Sequence, residues 1–202
     1  MRRLILSDAS AAGRCLARAF ANDPLMVHLL PDANRRDRML RRLCTLVVQH
    51  GIRYGQVDGV GDAIHGVAVW LPPAEAQASL PRLLYTGGWR LPFLIGINGT
   101  RRMLSFRGVI ERRYHRLVPQ PHWLLHMLGV DPEHQGRGLA SKLLTDRLQR
   151  LDQTQVDCVL ETVNPRSAAL YERFGFRTLE EILVPDSDLR CKLMLRRADS
   201  SR

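Results

Sequence analysis

Gln135-Gly136-Arg137-Gly138-Leu139-Ala140 is the stretch of this chain whose residue types and spacing most directly suggest chemistry. It follows an apolar run, Trp123 to Val130. That run ends at Asp131-Pro132, since proline cannot donate to a strand ladder and biases its predecessor away from helix. After it, Leu139, Ala140, Leu143, Leu144, Leu148 and Leu151 recur at helical spacing. The reading is strand, glycine turn, helix. Gly136 and Gly138 let the backbone take unusual angles and come close to a ligand. The first helical turn adds N–H groups without intrahelical partners, at the positive end of the helix dipole; both suit a phosphate or pyrophosphate. A Rossmann turn would need a third glycine and an acid after the next strand, and a P-loop would need Gly-Lys-Ser/Thr; neither is present.

A second block, Asn164-Pro165-Arg166-Ser167-Ala168-Ala169-Leu170-Tyr171-Glu172-Arg173-Phe174-Gly175-Phe176, lies downstream. With Gln-x-x-Gly-x-Ala at 135–140, it makes the chain resemble the GCN5-related N-acetyltransferase (GNAT) superfamily, whose second signature is an Asn followed seven residues on by Tyr and then Gly-Phe. The resemblance implies an α/β fold: a mixed, mostly antiparallel twisted sheet flanked by helices, here with a helical insertion before the signature strand. It implies acetyl-CoA (coenzyme A) as cofactor. In this family the signature strand splays from its neighbour and the pantetheine arm lies in the gap. By resemblance, backbone groups along Leu128, Gly129 and Val130 would meet that arm. Gln135, Gly136, Arg137, Gly138, Leu139 and Ala140 would wrap the pyrophosphate, with the Arg137 side chain either on a phosphate or in solvent. Asn164 would hold the cofactor arm or the local turn.

Transfer of an acetyl group to an amine needs a polarised thioester carbonyl, a neutral amine, a protonated leaving thiolate and aligned reactants. By resemblance, Tyr171 is the general acid; its alternative is a core tyrosine. His126 alternates with Leu128 and Val130, so it shares their strand face. Leu125 to Val130 resembles the matching strand of arylalkylamine N-acetyltransferases, where a His deprotonates the amine through water, a task suited to a pKa near neutrality. A hydrogen-bonded core histidine is the competing reading. Glu161, on the adjacent strand, is the second candidate base. Glu133 and His134 serve turn geometry or solvent. No Ser-His-Asp constellation is evident, and Cys158 has no placed partner, which favours direct transfer in a ternary complex over an acyl-enzyme. No metal site is expected.

These groups need elements to position them. The chain reads as a single domain over 1–202, with a short strand in Met1 to Asp8, then a helix through Ala12, Cys15, Leu16, Ala19 and Phe20, with Asp8 or Ser10 as cap. Asn22-Asp23-Pro24 stops it. Leu25 to Leu30 is either a short helix lining a pocket or a core-packed link. A helix follows through Met39, Leu40, Leu43, Val47 and Val48, then strands over Gly51 to Asp58 and Ile64 to Leu71 around Gly59 and Gly61. Residues 74 to 121 read as two or three inserted helices forming the acceptor pocket with the Asp23 to Asp32 connection and the strand ends near Trp70. Trp70, Tyr85, Trp89, Tyr114 and Trp123 are possible walls. Val156 to Val163 alternates as a strand, Pro165 opens a helix that Gly175 ends, and Phe176 to Val184 and Leu189 to Arg196 pair. Residues 197 to 202 are expected to fray.

The 202 residues carry a formal net charge of +10, almost all of it from arginine. The arginines are spread along helices and not interleaved with aromatic stacking platforms, so they read as solvated faces and attraction for a polyanionic cofactor rather than a nucleic-acid surface. Nucleic acid and membrane are not expected as partners. Cys15, Cys44, Cys158 and Cys191 are scattered, which argues against zinc or a disulfide framework and for buried thiols in a reducing cytoplasm. The first residues hold too short an apolar stretch for a signal peptide, although an Arg-rich transit peptide remains the competing reading. The function expected is acetyl transfer to a small-molecule amine by a monomer or homodimer. The Phe20 to Pro31 segment and Ala68 to Pro73 resemble small-molecule acetyltransferases of the puromycin type. A protein or peptide acceptor, or a non-catalytic acyl-CoA sensor, are the alternatives.

Overall fold

The computed structural model describes residues 1–76 and 88–199. Seven strands form one sheet in the order β1-β2-β3-β4-β5-β7-β6: β1 (Arg2–Arg3), β2 (Gln56–Val60), β3 (Gly66–Leu71), β4 (His122–Val130), β5 (Asp157–Thr162), β6 (Arg177–Leu183) and β7 (Arg190–Arg196). Every neighbouring pair is antiparallel except β4 and β5, which are parallel. The described helices are α1 (Ala9–Ala19), α2 (Pro24–Leu29), α3 (Ala33–Tyr54), α4 (Pro73–Ala76), α5 (Leu91–Leu117), α6 (Leu139–Gln153) and α7 (Pro165–Arg173). This is the expected mixed α/β sheet flanked by helices, with helical structure inserted before the signature strand.

Local chemistry accounts for three of the described helix starts. Asp23 accepts from the amides of Leu25 and Met26 at 3.0 and 3.2 Å, with Pro24 opening α2. Asp32 caps α3 through the Asn34 amide at 3.0 Å. Asn164 caps α7 through the Arg166 amide at 2.9 Å. Asp8, expected as a side-chain cap for α1, instead accepts from the guanidinium of Arg2 and the amide of Ile5. Those bonds hold its carboxyl down at about 2.

The helices bury their apolar stripes on both faces of the sheet. Leu16 of α1, Leu40 and Val48 of α3 and Met127 of β4 share one cluster. Leu143, Leu144 and Leu148 of α6 join Tyr171 of α7 and Leu160 of β5 in a second. Phe106, Ile110 and Tyr114 of α5 cover β5 and β7. Tyr114 also donates its hydroxyl to the Leu160 carbonyl. All four cysteines are buried and free, in keeping with their apolar settings.

Several boundaries differ from expectation. Residues 51–54 are the end of α3 rather than a strand, because Gly51 faces the sheet: a Cβ there would lie 2.6 Å from Val69 and 2.8 Å from Val57. Gly59 is inside β2, paired with Arg2 and Val67, so the turn begins at Gly61, whose φ is +88°. The first strand is only Arg2–Arg3, followed by a 3-10 turn at Leu6–Asp8. In the insertion, α5 is two helices meeting at Gly96, with φ +74° and ψ 166°; the rest of the expected helical content, with Pro81 and Tyr85, falls outside the described residues. Arg197 to Asp199 are not frayed: the Arg197 guanidinium and the Ala198 amide donate to Asp157, and the Asp199 amide donates to Asp152.

Helices α1 and α3 approach closely at Gly13, where a Cβ would meet the Thr45 backbone at 2.8 Å and 2.9 Å. Backbone cannot give way as a side-chain tip can. Gly13→Ala should therefore destabilise the fold by about 1–3 kcal/mol, read as a lowered urea midpoint with unchanged m-value.

Candidate active site

Strand β4 runs beside β5 for only three pairs, His122 with Asp157, Trp123 with Cys158 and Leu124 with Val159. Beyond Leu124, β4 pairs only with β3, while Leu160, Glu161 and Thr162 of β5 pair only with β7. The two strands have parted, leaving backbone donors and acceptors along the facing edges. A β-bulge sits at the point of divergence: Val69 pairs with Met127 and Trp70 with Leu125, so His126 is the extra residue of β4. A bulge re-aims the side chain it carries.

His126 lines a cavity of about 900 Å³ together with Leu128, Glu161 and Tyr171. Glu161 comes from the β5 face that α5 covers, and Tyr171 from α7 on the opposite side of the sheet. Groups on opposite faces share one cavity because the sheet is open between β4 and β5. Leu25, Met26 and Leu29 of α2 and Phe106 and Ile110 of α5 line the same cavity.

The electrostatics separate the three polar groups. Burial raises the Glu161 carboxyl to about 7, against a smaller opposing pull from Arg107. Burial also pushes His126 down to about 3, with the charges of Arg107 and His50 adding to the effect. A histidine expected to titrate near neutrality is therefore neutral across the working range. Its Nδ1 and the Glu161 Oε2 are buried without hydrogen-bond partners among the described residues. Tyr171 stacks edge-on against Phe176 at 5.8 Å, and burial drives its hydroxyl well above the ordinary value, with Glu161 contributing.

The glycine turn lies past the C-terminal end of β4. Asp131 starts a 3-10 turn over Pro132–His134, accepting from the Glu133 amide at 3.2 Å, and His134 stacks on His65 at 3.7 Å. Gln135 folds back and donates to the Val130 carbonyl at 3.1 Å, tying the turn to the strand. Gly136 and Gly138 have φ of +75° and +74°, with nothing within 4 Å of a would-be Cβ. Gly138 caps α6 with no side-chain bond, so the first-turn amides are left open. Arg137 is exposed, within 3.4 Å of the Glu133 carbonyl. Leu139 packs on the core below α6. The corner therefore offers open amides, space and a positive helix end, which fit a diphosphate.

Other expected positions divide. Gly129 lies against α1, where a Cβ would meet Ala19 and Leu16 at 2.9 Å, so it serves close packing. Asn164 holds the local turn, its amide also donating to Thr162 at 3.1 Å. Among the aromatic candidates, Tyr114 lines the cavity. Trp70 is fully buried core, Trp89 is exposed, and Trp123 lies under the Arg147 guanidinium at 4.0 Å. Tyr85 is outside the described residues. Sequence reasoning missed His50, Glu75, Arg107 and Glu111, all on the cavity wall. The available signal was a polar residue on an otherwise apolar helix face: His50 follows Leu43 and Val47, and Arg107 lies between Phe106 and Ile110.

The profile of the acetyltransferase (GNAT) family matches residues 99–176. An uncharacterised N-acetyltransferase of Schizosaccharomyces pombe is 26% identical over 181 residues, 87% of this chain and 73% of that protein. A Corynebacterium glutamicum structure described as histone acetyltransferase HPA2 and related acetyltransferase superposes with a TM-score of 0.72 at 25% identity, covering 99% of this chain and 96% of that one. A Drosophila melanogaster polyamine N-acetyltransferase shares the fold with a TM-score of 0.65 at 18% identity, over 97% of this chain and 98% of that one. An arylalkylamine N-acetyltransferase of Aedes aegypti does so with a TM-score of 0.61 at 14% identity, over 98% of each chain. With the parted strands and the open glycine turn already in place, these likenesses lead to one conclusion: the chain has the fold of the GNAT acetyltransferases and is homologous to them.

Proposed function

We propose that this protein is an acetyl-CoA-dependent N-acetyltransferase that passes an acetyl group directly to the amine of a small molecule in a ternary complex. One observation carries the reading: His126, Glu161 and Tyr171 share a cavity at the place where β4 and β5 part. Its volume of about 900 Å³ is within the range of small-molecule sites. The names of the Drosophila and Aedes structural neighbours support a small amine over a protein acceptor. The likeness to puromycin-type enzymes bears on the same walls, since Asp23, Leu25, Met26 and Leu29 line the cavity.

Acetyl-CoA, when bound, supplies the activated acyl thioester. The backbone of Leu128, Gly129 and Val130 would hold its pantetheine arm where β4 has left β5. Gln135 to Ala140 would present amides to its diphosphate, and Arg137 would add a positive charge. Glu161 takes the proton of the incoming ammonium, because a carboxyl raised to about 7 is matched to a proton transfer near neutral pH. His126, held neutral, offers an unpartnered Nδ1 as hydrogen-bond acceptor to the amine or to a relaying water. Tyr171 keeps its proton until the sulfur departs and then donates it. Desolvation thus separates a base from an acid inside one cavity.

Thiol release from acetyl-CoA in the presence of an amine panel tests the proposal, and no saturable acetyl-CoA binding at high micromolar concentration would overturn it. Tyr171→Phe should lower kcat by about a hundredfold while acetyl-CoA affinity, measured by calorimetry, changes little; a sensor would tolerate the change without loss of its function. In the wild type, kcat/KM should rise with pH through an apparent pKa near 7, the value for Glu161. Glu161→Gln should remove that limb. The same shift links to stability. Folding favours the protonated carboxyl, so stability is full below its unfolded value of 4.5 and is lost as pH rises through about 7. Glu161→Gln buries no charge, so it should melt above the wild type at pH 8, with the gap closing by pH 4.5.

A further inference from the structure

The cavity holds a positive charge that the proposed chemistry does not use. Arg107 of α5 lines it, near enough to His126 and Glu161 to act on the titration of both. Among the described residues, its guanidinium has neither a hydrogen bond nor an ion pair. The four carboxylates on the same wall leave it so. Asp23 is engaged by the amides of Leu25 and Met26, and Glu75 faces His50 at 3.6 Å. Glu111 and Glu161 form no ion pair with it. Arginines elsewhere in the fold do find partners: Arg196 is bidentate to Asp152 at 2.6 and 2.7 Å, and Arg113 is paired with Glu180. A half-buried guanidinium without a counterion is costly, and its planar fork matches a carboxylate.

The remaining lining divides by chemistry. Asp23 and Glu161, both close enough to Tyr171 to act on its hydroxyl, offer carboxylates that suit an ammonium. Leu43, Val47, Met103 and Leu104 offer an apolar surface without a polar anchor. An acceptor complementary to all three has an ammonium, a carboxylate and an apolar side chain.

Resting on the acetyl-transfer reading of this site, we infer that the acceptor is a carboxylate-bearing amine with an apolar side chain, of the α-amino acid type, and that Arg107 receives its carboxylate. The amine reaches Glu161 and His126 while the guanidinium anchors the other end. The step balances as an ordinary acyl transfer: the ammonium gives one proton to Glu161, the neutral nitrogen forms a bond to the acetyl carbon as the carbon–sulfur bond breaks, the thiolate takes a proton from Tyr171, the second nitrogen proton restores Tyr171, and Glu161 releases its proton to solvent.

Two measurements test this, and the first does not depend on turnover. N-acetyl-L-leucine and its decarboxylated counterpart, N-isopentylacetamide, are titrated into the protein by calorimetry. The carboxylate compound should bind at least tenfold more tightly, and Arg107→Met should abolish the difference. Equal affinities in the wild type, or a preference that survives Arg107→Met, would overturn the inference. The second measurement compares kcat/KM for L-leucine and L-phenylalanine with that for isopentylamine and phenylethylamine. The amino acids should be preferred by about a hundredfold, with that ratio collapsing in Arg107→Met chiefly through KM. A drop of equal size for both classes, accompanied by a shifted pH profile, would instead make Arg107 a group that only tunes Glu161. Acetylation of the amines but not the amino acids defeats this inference and leaves the acetyl-transfer reading standing. Failure to bind acetyl-CoA defeats the acetyl-transfer reading and the acceptor role with it, while the calorimetric comparison separately decides whether Arg107 receives a carboxylate.

Discussion

The separation of β4 from β5 after Leu124 and Val159 is the constraint on which the rest of the site depends. A continuous ladder would have satisfied the backbone and sealed the sheet, and His126, Glu161 and Tyr171 would then have lain on opposite sides of a closed wall. The parting is held open from both sides. Strand β4 is fastened to β3 from Leu124 to Val130, and β5 is fastened to β7 from Cys158 to Thr162. Past that point each strand is paired along its outer edge, His126 excepted, and not to its neighbour along the inner edge. Buried backbone groups without partners are costly, so the gap is most stable when something extended fills it.

The same opening sets the electrostatics. Glu161 and His126 face a cavity walled by Leu, Met, Phe and Ile side chains rather than bulk water. Desolvation disfavours the charged form of each, moving the carboxyl up and the imidazole down. Two groups that would ordinarily both titrate below neutrality are driven apart, one into the useful range and one out of it. Tyr171 moves the same way as Glu161, since a phenolate is also an anion to be buried. Arg107 opposes the shift of Glu161 and reinforces that of His126, so its own neutralisation by a bound anion would raise both.

The bulge at His126 shows how much one residue of slippage decides. In a regular strand, alternation places His126 with Leu128 and Val130, as the sequence pattern indicates. Leu124 and Leu125, on opposite faces, are both buried, and the extra residue that follows them leaves His126 unpaired with β3 at the parting of the strands. Alternation could not reveal this, because no local signal in Leu124-Leu125-His126 marks where the register with β3 shifts.

What the sequence determined by itself was whatever depends on neighbours along the chain. The glycine turn at 136 and 138, the caps at Asp23 and Asn164, the helix over 139–153 and the hairpin of β6 and β7 all rest on residues a few positions apart. The approximate strand positions and the pairing of two signature blocks belong there too. What only the tertiary structure decided was whatever depends on which surfaces meet. The end of α3 runs on to Tyr54 because Gly51 fits between Val57 and Val69, contacts no window along the chain contains. Arg107 and His50 become part of the site because α5 and α3 both contribute to the cavity wall. The near-neutral Glu161 carboxyl arises the same way, because desolvation is a property of the surroundings and not of the residue.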